Sequence, residues 1–191
     1  TPMNAIIGMT TIASANLNNQ EKLRDCLGKI DASSRYLLSL INDILDLSRI
    51  ESGKMTIVQE PFDLREMIGS LEGICAVQAQ EKEQELTVHV SHRIQSWYVG
   101  DELRLKQILM NLLGNALKYT PPQGRIQFTV QAKNTVADVT MIEFMVRDTG
   151  IGITPEFQKK MFDAFTQDVN ASGRTGSGLG LAITQNLVHL M

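Results

Sequence analysis

Two asparagines stand four residues apart in a leucine-rich segment, Met110 to Thr120 (MNLLGNALKYT). At 3.6 residues per turn, Asn111 and Asn115 share one face of a helix, and Lys118 continues that face. Amide oxygens are neutral ligands that suit a magnesium ion whose other ligands are waters and phosphates, and a lysine offers phosphate a point charge. Each residue also has a plainer interpretation, as an asparagine bonded to a neighbouring loop or as a solvated surface lysine.

A carboxylate followed by two glycines ends a row of apolar residues in VTMIEFMVRDTGIG. The two-residue period of a strand places four side chains on one face: Ile142, Phe144, Val146 and Asp148. A carboxylate at the end of a buried row needs a hydrogen-bond donor, because an unpaired buried charge is costly. Gly150 and Gly152 then allow unusual backbone angles and close approach. The alternative is an ordinary turn at the end of a strand.

A second glycine-rich stretch, GRTGSGLGLAI, comes directly before a helical pattern. Backbone amides at such a helix start suit phosphate groups. A flexible linker with a glycine-rich turn is the alternative, since a run of glycines alone is a weak signal. The stretch is neither a P-loop, since no Gly-Lys-Ser/Thr follows, nor a dinucleotide fingerprint, which requires a preceding parallel strand. Its glycines are Gly173, Gly176, Gly178 and Gly180.

The composition limits the classes of partner. The 191 residues are 43% hydrophobic and 20% charged, which is typical of one globular domain or two small ones. The net charge of −3 shows no excess of basic residues of the kind that nucleic-acid-binding surfaces carry. No apolar run reaches the roughly 18 to 20 residues of a membrane span, and no signal peptide begins the chain. We therefore expect a cytoplasmic segment, in which the distant Cys26 and Cys75 are buried thiols rather than a disulfide.

The elements that must position these residues fall into two regions. Over residues 1–52, apolar residues repeat at helical spacing on both sides of a polar turn, Asn16 to Gln20, which predicts an antiparallel helical hairpin. The second helix has an apolar face wider than one partner helix can cover, so a homodimer forming a four-helix bundle is expected. Gly53 predicts the helix end and Pro61 the close of a linker over residues 53–62.

Residues 63–191 mix helical and strand patterns. Helices are predicted from about Leu64 to Glu83 and from about Glu102 to Tyr119, and again at TPEFQKKMF, capped by Thr154, and at LGLAITQNLVHLM. Strands are predicted at ELTVHV, GRIQFTVQA and VTMIEFMVRD, the last two as an antiparallel pair. The fold class is therefore α+β, a helical hairpin followed by an α/β sandwich with helices over one sheet face.

Taken together, these motifs resemble those of the sensor histidine kinases of two-component systems. Residues 111–120 are similar to the N box of that family, 148–153 to its first glycine box, 162–165 to its F box and 176–181 to its second glycine box. The resemblance implies the ATP-binding fold shared with gyrase, Hsp90 and MutL proteins. It also implies Mg²⁺ as cofactor and a flexible lid from about Phe165 to Ser177.

The resemblance also implies roles for single residues. Asp148 would bind the adenine amino group, Asn115 and the nearby Asn111 the metal, and Lys118 and Tyr119 would reach the phosphates. The implied ATP-binding set is Asn111, Asn115, Lys118, Tyr119, Asp148, Gly150, Gly152, Phe165, Gly176, Ser177, Gly178, Leu179 and Gly180.

At the chain start, TPMNAI resembles the end of the family's H box, whose phosphoacceptor histidine falls four residues before Thr1. His89, His92 and His189 do not match that position, so this fragment is expected not to autophosphorylate. Thr1 matches a residue that orients water for phosphatase activity in some members.

The family's closing strands are missing after Met191, which is expected to leave sheet edges uncovered and to lower the affinity for ATP. The chain would thus be truncated at both ends. The stretch TPMNAIIGM and the long linker resemble those of hybrid kinases, which carry their own receiver domains, and the full protein can be membrane-anchored.

In the full protein, the resemblance implies phosphoryl transfer from Mg-ATP to a histidine and then to an aspartate on the receiver domain of a response regulator. Two alternatives compete with the kinase. One is a dimerising signalling scaffold with a decayed nucleotide site that docks a receiver domain. The other is a non-kinase ATPase of the same fold, which would be expected to lack the helical hairpin.

Overall fold

Two units make up the chain in the computed structural model, which describes residues 2–137, 139–167 and 176–191, and the division between them falls between Met55 and Thr56. The first unit is the expected helical hairpin, formed by α1 (Pro2–Ser14) and α2 (Gln20–Glu51). Asn19 caps α2, because its side-chain oxygen accepts a hydrogen bond of 3.0 Å from the backbone of Lys22.

The second helix of the hairpin packs on α1 with one side only. Cys26 and Asp46 are its buried residues, whereas Leu38, Ile41 and Leu45 are 60%, 46% and 51% exposed. The spacing of these exposed side chains places them in one stripe along α2. A stripe of large apolar residues left open in this way is the kind of surface that a second helix pair covers.

The second unit contains three strands in one sheet and helices packed against it. Its elements are β1 (Glu60–Asp63), α3 (Leu64–Glu81), β2 (Glu85–Val90), β3 (Trp97–Gly100), α4 (Glu102–Tyr119), β4 (Arg125–Val136), β5 (Val139–Asp148), α5 (Pro155–Gln158) and α6 (Gly180–Leu190). Strand β4 is central, parallel to β2 and antiparallel to β5, with Phe128 opposite Val88 on one side and Val146 on the other.

The core lies between this sheet and the helices α3 and α4. Ile126, Phe128 and Val130 alternate along β4 and are fully buried, as the strand pattern predicts. Leu71 of α3 and Leu109 of α4 pack in the same cluster with no exposed surface. The α+β class and the antiparallel pair β4 and β5 are thus confirmed.

A small second sheet was not predicted. Residues 60–63 form β1, which pairs antiparallel with β3, so that Glu60 lies opposite Gly100 and Asp63 opposite Trp97. Part of the segment predicted as a linker is therefore a strand, because the side chain of Phe62 is buried in the core. The sequence pattern uses Pro61 to mark the end of the linker and so misses this strand. Proline is nevertheless tolerated at the start of a strand and in edge strands.

The helix predicted at TPEFQKKMF is shorter than expected. Thr154 caps it as predicted, accepting a 3.2 Å hydrogen bond from the backbone of Phe157, but α5 spans only Pro155–Gln158. Phe162, which would extend its apolar face, is 40% exposed. Without a buried face, a helix gains little beyond its costly first turn.

Both cysteines are free and buried, as expected, and burial raises the pKa of the Cys75 thiol. Within the described ranges, none of the helices combines the length and the apolar character that crossing a bilayer takes.

Candidate functional site

Helix α4 carries the centre of the candidate site on the side away from the core. Its apolar face, with Leu109, Leu113 and Leu117, is buried, and the asparagines and Lys118 are half-buried beside it. Asp101 fixes where the helix begins, because one carboxylate oxygen accepts from the backbone of Arg104 at 2.9 Å. The polar face predicted for residues 111–118 is therefore present.

Asn111 lies against the start of α6. Its side-chain nitrogen donates a 2.7 Å hydrogen bond to the hydroxyl of Thr184. A Cβ at Gly180 would stand 2.2 Å from the Asn111 Oδ1 atom, so no residue with a side chain fits at position 180 without displacing the amide. This contact joins the asparagine helix to the second glycine segment.

The far end of the same helix meets both glycine segments. A Cβ at Gly176 would lie 3.0 Å from Lys118 Nζ, and this ammonium is 4.7 Å from the centre of the Tyr119 ring. A Cβ at Gly150 would lie 2.8 Å from the Tyr119 carbonyl oxygen, and the backbone of Ile151 donates to that oxygen at 3.4 Å. The glycine at 150 therefore allows the first glycine turn to pack on the end of α4.

Asp148 ends β5 in an exposed position. The preceding members of its row pack against the core, but the carboxylate itself is open to solvent, so the buried setting suggested by the sequence is wrong. Its donor is in its own turn, since Oδ1 accepts a 2.8 Å hydrogen bond from the backbone of Gly150. The turn interpretation thus describes the local geometry, and the other carboxylate oxygen makes no hydrogen bond within the described ranges.

The second glycine segment also packs on the backbone of residues 165 and 166. Gly178 has a φ of 71°, and a Cβ there would lie 2.8 Å from the Phe165 carbonyl carbon. Phe165 is itself exposed, with a φ of 62°. Gln167 donates to the Gly176 carbonyl at 2.7 Å. Most of the lid expected between residues 165 and 177 lies outside the described residues.

Residues 177 to 180 lead into α6. The Ser177 hydroxyl accepts a 3.1 Å hydrogen bond from the backbone of Leu179, whose side chain is fully buried. Leu179 therefore anchors the segment, and its contribution to a ligand would come from the backbone. Gly152, with a φ of 72°, has open space where a Cβ would stand and serves the turn of the first glycine segment.

The side-chain oxygens at this site fit a magnesium ion that phosphate groups also bind. Asn115 is half-buried on the same face of α4 as Asn111, and its side chain has no hydrogen-bond partner in the part of the chain that the structure describes. That same part contains no group of three or more histidine, cysteine, aspartate or glutamate residues able to hold a metal. Neutral amide oxygens can join phosphate and water in a set of ligands that Mg²⁺ accepts.

The sequence also drew attention to Thr1 and to the three histidines of the chain. Thr1 lies outside the described residues. His89, His92 and His189 are all exposed. Thr184 was not singled out from the sequence, although its position four residues after Gly180 places both on one face of α6 and could have drawn attention to it.

Comparison with known proteins gives the same assignment for both regions. Residues 1–53 match the family described as the His Kinase A (phospho-acceptor) domain, and residues 100–191 match the histidine kinase-, DNA gyrase B- and HSP90-like ATPases. The sensory/regulatory protein RpfC of Xanthomonas campestris pv. campestris is 39% identical over 194 aligned residues, which cover all of this chain and 26% of RpfC. The chain thus spans about a quarter of that relative's length.

Solved structures show the same likeness. The full-length ShkA structure in complex with AMPPNP aligns with a TM-score of 0.75 and 30% identity, over all of this chain and 38% of that one. The mycobacterial sensor histidine kinase MprB aligns with a TM-score of 0.54 and 30% identity, over 69% of this chain and 79% of that one.

Proposed function

Because this chain belongs to the sensor histidine kinases of two-component systems, we propose that its second unit binds Mg-ATP between α4 and the two glycine segments. In the full protein, the γ-phosphoryl group of ATP would pass to a histidine and then to an aspartate of a response regulator. In the first transfer a bond from γ-phosphorus to oxygen breaks and a bond to an imidazole nitrogen forms, which leaves ADP.

One observation carries the proposal for the nucleotide. Asn111 on one face of α4 lies against Gly180, Lys118 on the same face lies against Gly176, and the Tyr119 carbonyl at the end of the helix lies against Gly150. Each position admits no side chain without a shift of its neighbour. The contacts bring α4 and the two glycine segments together, and this convergence supports a nucleotide site there over the scaffold.

The residues then take distinct roles. The second carboxylate oxygen of Asp148 accepts a hydrogen bond from the adenine amino group. The backbone amides of residues 176–180 and the ammonium group of Lys118 offset the negative charge of the phosphates. Asn115 and Asn111 would hold magnesium, which supplies charge neutralisation at the phosphates when it is bound. The protein's contribution to phosphoryl transfer is therefore positioning and electrostatic stabilisation.

The hairpin would supply the dimer and the docking surface for a receiver domain. None of the three histidines of this chain falls within residues 1–53, so we expect no phosphohistidine to form on this chain itself. The residues at the start of the first helix, TPMNAIIGM, also favour a hybrid kinase with a fused receiver domain. We further propose that this segment lies in the cytoplasm.

Dimerisation of the whole chain should depend on the exposed stripe of α2. Replacing Leu38 and Leu45 together by lysine should raise the dimer dissociation constant about 100-fold or more, because each buried leucine contributes about 1.5 to 3 kcal/mol. Sedimentation equilibrium measures this directly. Ser39→Lys adds a charge to the same helix outside the stripe and should leave the dimer unchanged. A double variant that sediments like the unmodified chain would contradict the assignment.

Nucleotide binding is tested by calorimetric titration of the chain with AMPPNP and Mg²⁺. We expect measurable heat with about one nucleotide per chain. Asn115→Ala should weaken the magnesium-dependent binding by about 10-fold or more, since a metal ligand is removed. Asn186→Ala is the matched control, because that amide donates at 2.8 Å to the carbonyl of Ala182 in its own helix. Absence of heat for the unmodified chain would favour the scaffold instead.

A further inference from the structure

Two prolines follow the end of α4 and deprive its last carbonyl groups of their usual partners. In an α-helix, each carbonyl accepts a hydrogen bond from the backbone N–H four residues later. For Leu117 that residue is Pro121, which has no N–H, and for Lys118 the next proline takes that place. Thr120, directly before the pair, is extended, with a ψ of 131°. The carbonyl groups of this last turn therefore need donors from another element.

The turn between α3 and β2 supplies these donors. The side-chain nitrogen of Gln84 donates to the carbonyl of Leu117 at 3.1 Å and to that of Thr120 at 2.5 Å. The ammonium group of Lys82 also donates to the Leu117 carbonyl, at 3.1 Å. Because a carbonyl oxygen can only accept, the two contacts of Gln84 fix the orientation of its amide, with the NH₂ group toward α4.

Gln84 is itself held in place on both sides. Its backbone donates to the carbonyl of Ala79 at 2.8 Å, and the backbone of Glu85 donates to the carbonyl of Gly124 at 2.9 Å. Gln84 is only 8% exposed, yet its side-chain oxygen has no partner among the described residues. A buried oxygen without a donor lowers stability and so opposes the gain from the two hydrogen bonds. We therefore expect the amide to act chiefly on where the end of α4 lies.

The turn that Gln84 holds carries part of the proposed nucleotide site. Its two acceptor carbonyls, at residues 117 and 120, flank Lys118 and Tyr119. The Lys118 ammonium lies beside the second glycine segment, and the Tyr119 carbonyl lies beside the first. We propose that Gln84 is a positioning residue, which fixes the last turn of α4 so that Lys118 faces the phosphates of the bound nucleotide. This inference rests on the nucleotide site proposed above.

The test is a double-mutant cycle on AMPPNP binding, measured by calorimetry in the presence of Mg²⁺. Gln84→Met keeps the length of the side chain and removes its donors, and Lys118→Met removes the charge that Gln84 positions. Gln84→Met alone should weaken binding about 5- to 10-fold. In the Lys118→Met background, the same substitution should weaken binding about twofold or less, because the group that it displaces is gone.

Arg65→Met is the matched control, at the opposite end of α3. The Arg65 guanidinium donates to the carbonyl of Ile94 at 2.6 Å and 3.1 Å, so it too ties this helix to a loop through a backbone carbonyl. Arg65→Met should lower stability in urea unfolding and leave AMPPNP binding unchanged in both backgrounds.

Equal losses of binding from Gln84→Met with and without Lys118 would show that the amide acts through stability alone and would overturn the inference. Unchanged binding in Gln84→Met would overturn it as well. If the unmodified chain binds no AMPPNP, the nucleotide site itself is refuted and the inference falls with it, which is a separate result from a failed cycle.

Lys82→Met repeats the cycle at an exposed residue, in case Gln84→Met does not fold. Since Lys82 donates to the same carbonyl of Leu117, its replacement should weaken AMPPNP binding about threefold when Lys118 is present and leave it unchanged in Lys118→Met. An equal effect in both backgrounds would contradict the positioning of Lys118.

Discussion

Asparagine in place of Asp148 should weaken AMPPNP binding by about 10- to 100-fold, because a hydrogen bond to a charged group contributes about 1.5 to 3 kcal/mol. The turn explains why the loss is so large. Oδ1 accepts from the backbone of Gly150 at 2.8 Å, and an asparagine oxygen can keep that bond. The amide NH₂ then replaces the second carboxylate oxygen and faces the adenine amino group, donor against donor.

The same reversal predicts a change of base preference. A purine with a carbonyl at C6 accepts a hydrogen bond where adenine donates one. The ratio of affinity for the guanine analogue to affinity for the adenine analogue should therefore be higher in Asp148→Asn than in the unmodified chain. Calorimetric titration with both nucleotides measures the ratio, and thermal melting checks that the fold is retained. Unchanged affinity and unchanged preference would remove Asp148 from the base site.

Alanine in place of Gly180 should damage both stability and binding. The new Cβ would stand 2.2 Å from Oδ1 and 2.8 Å from Cγ of Asn111, so the amide or the start of α6 must move. Overpacking of this kind costs about 1 to 3 kcal/mol in the free energy of unfolding. Because the displaced amide is a proposed metal ligand, magnesium-dependent nucleotide binding should fall as well. Urea unfolding and calorimetry give the two values.

Gly69 in α3 provides the matched control for that substitution. It is an exposed helix residue with nothing within 4 Å of the position of a Cβ. Gly69→Ala should therefore raise the free energy of unfolding by about 0.5 to 1 kcal/mol and leave nucleotide binding unchanged. A Gly180→Ala variant as stable as Gly69→Ala, with full binding, would contradict the close packing of Asn111 on α6.

Local patterns were sufficient for the elements that position the site. The helix from Glu102 to Tyr119 was predicted with its observed bounds, because Asp101 caps it and its apolar residues repeat at helical spacing. The pairing of β4 and β5 followed from two alternating runs joined by a turn. In both cases the determining residues are close together in the sequence.

Features that depend on distant partners were not predicted. Strand β1 is defined by its pairing with β3, more than thirty residues later, and by the burial of Phe62. Asp148 was expected to be buried, but its position at the sheet end leaves it exposed, and its own turn supplies the donor. Thr184 became significant only when the fold placed α6 beside Asn111, 73 residues away in the chain.

A crystal structure of this chain with Mg²⁺ and AMPPNP tests the central claim most directly. We predict that the base amino group lies within hydrogen-bond distance of Asp148, that Asn115 Oδ1 is bound to magnesium, and that the phosphates face the amides of residues 176–180. A nucleotide bound elsewhere, for example in the depression lined by Asp63, Glu102 and Lys106, with Asn115 and Asp148 contacting no common ligand, would contradict the account.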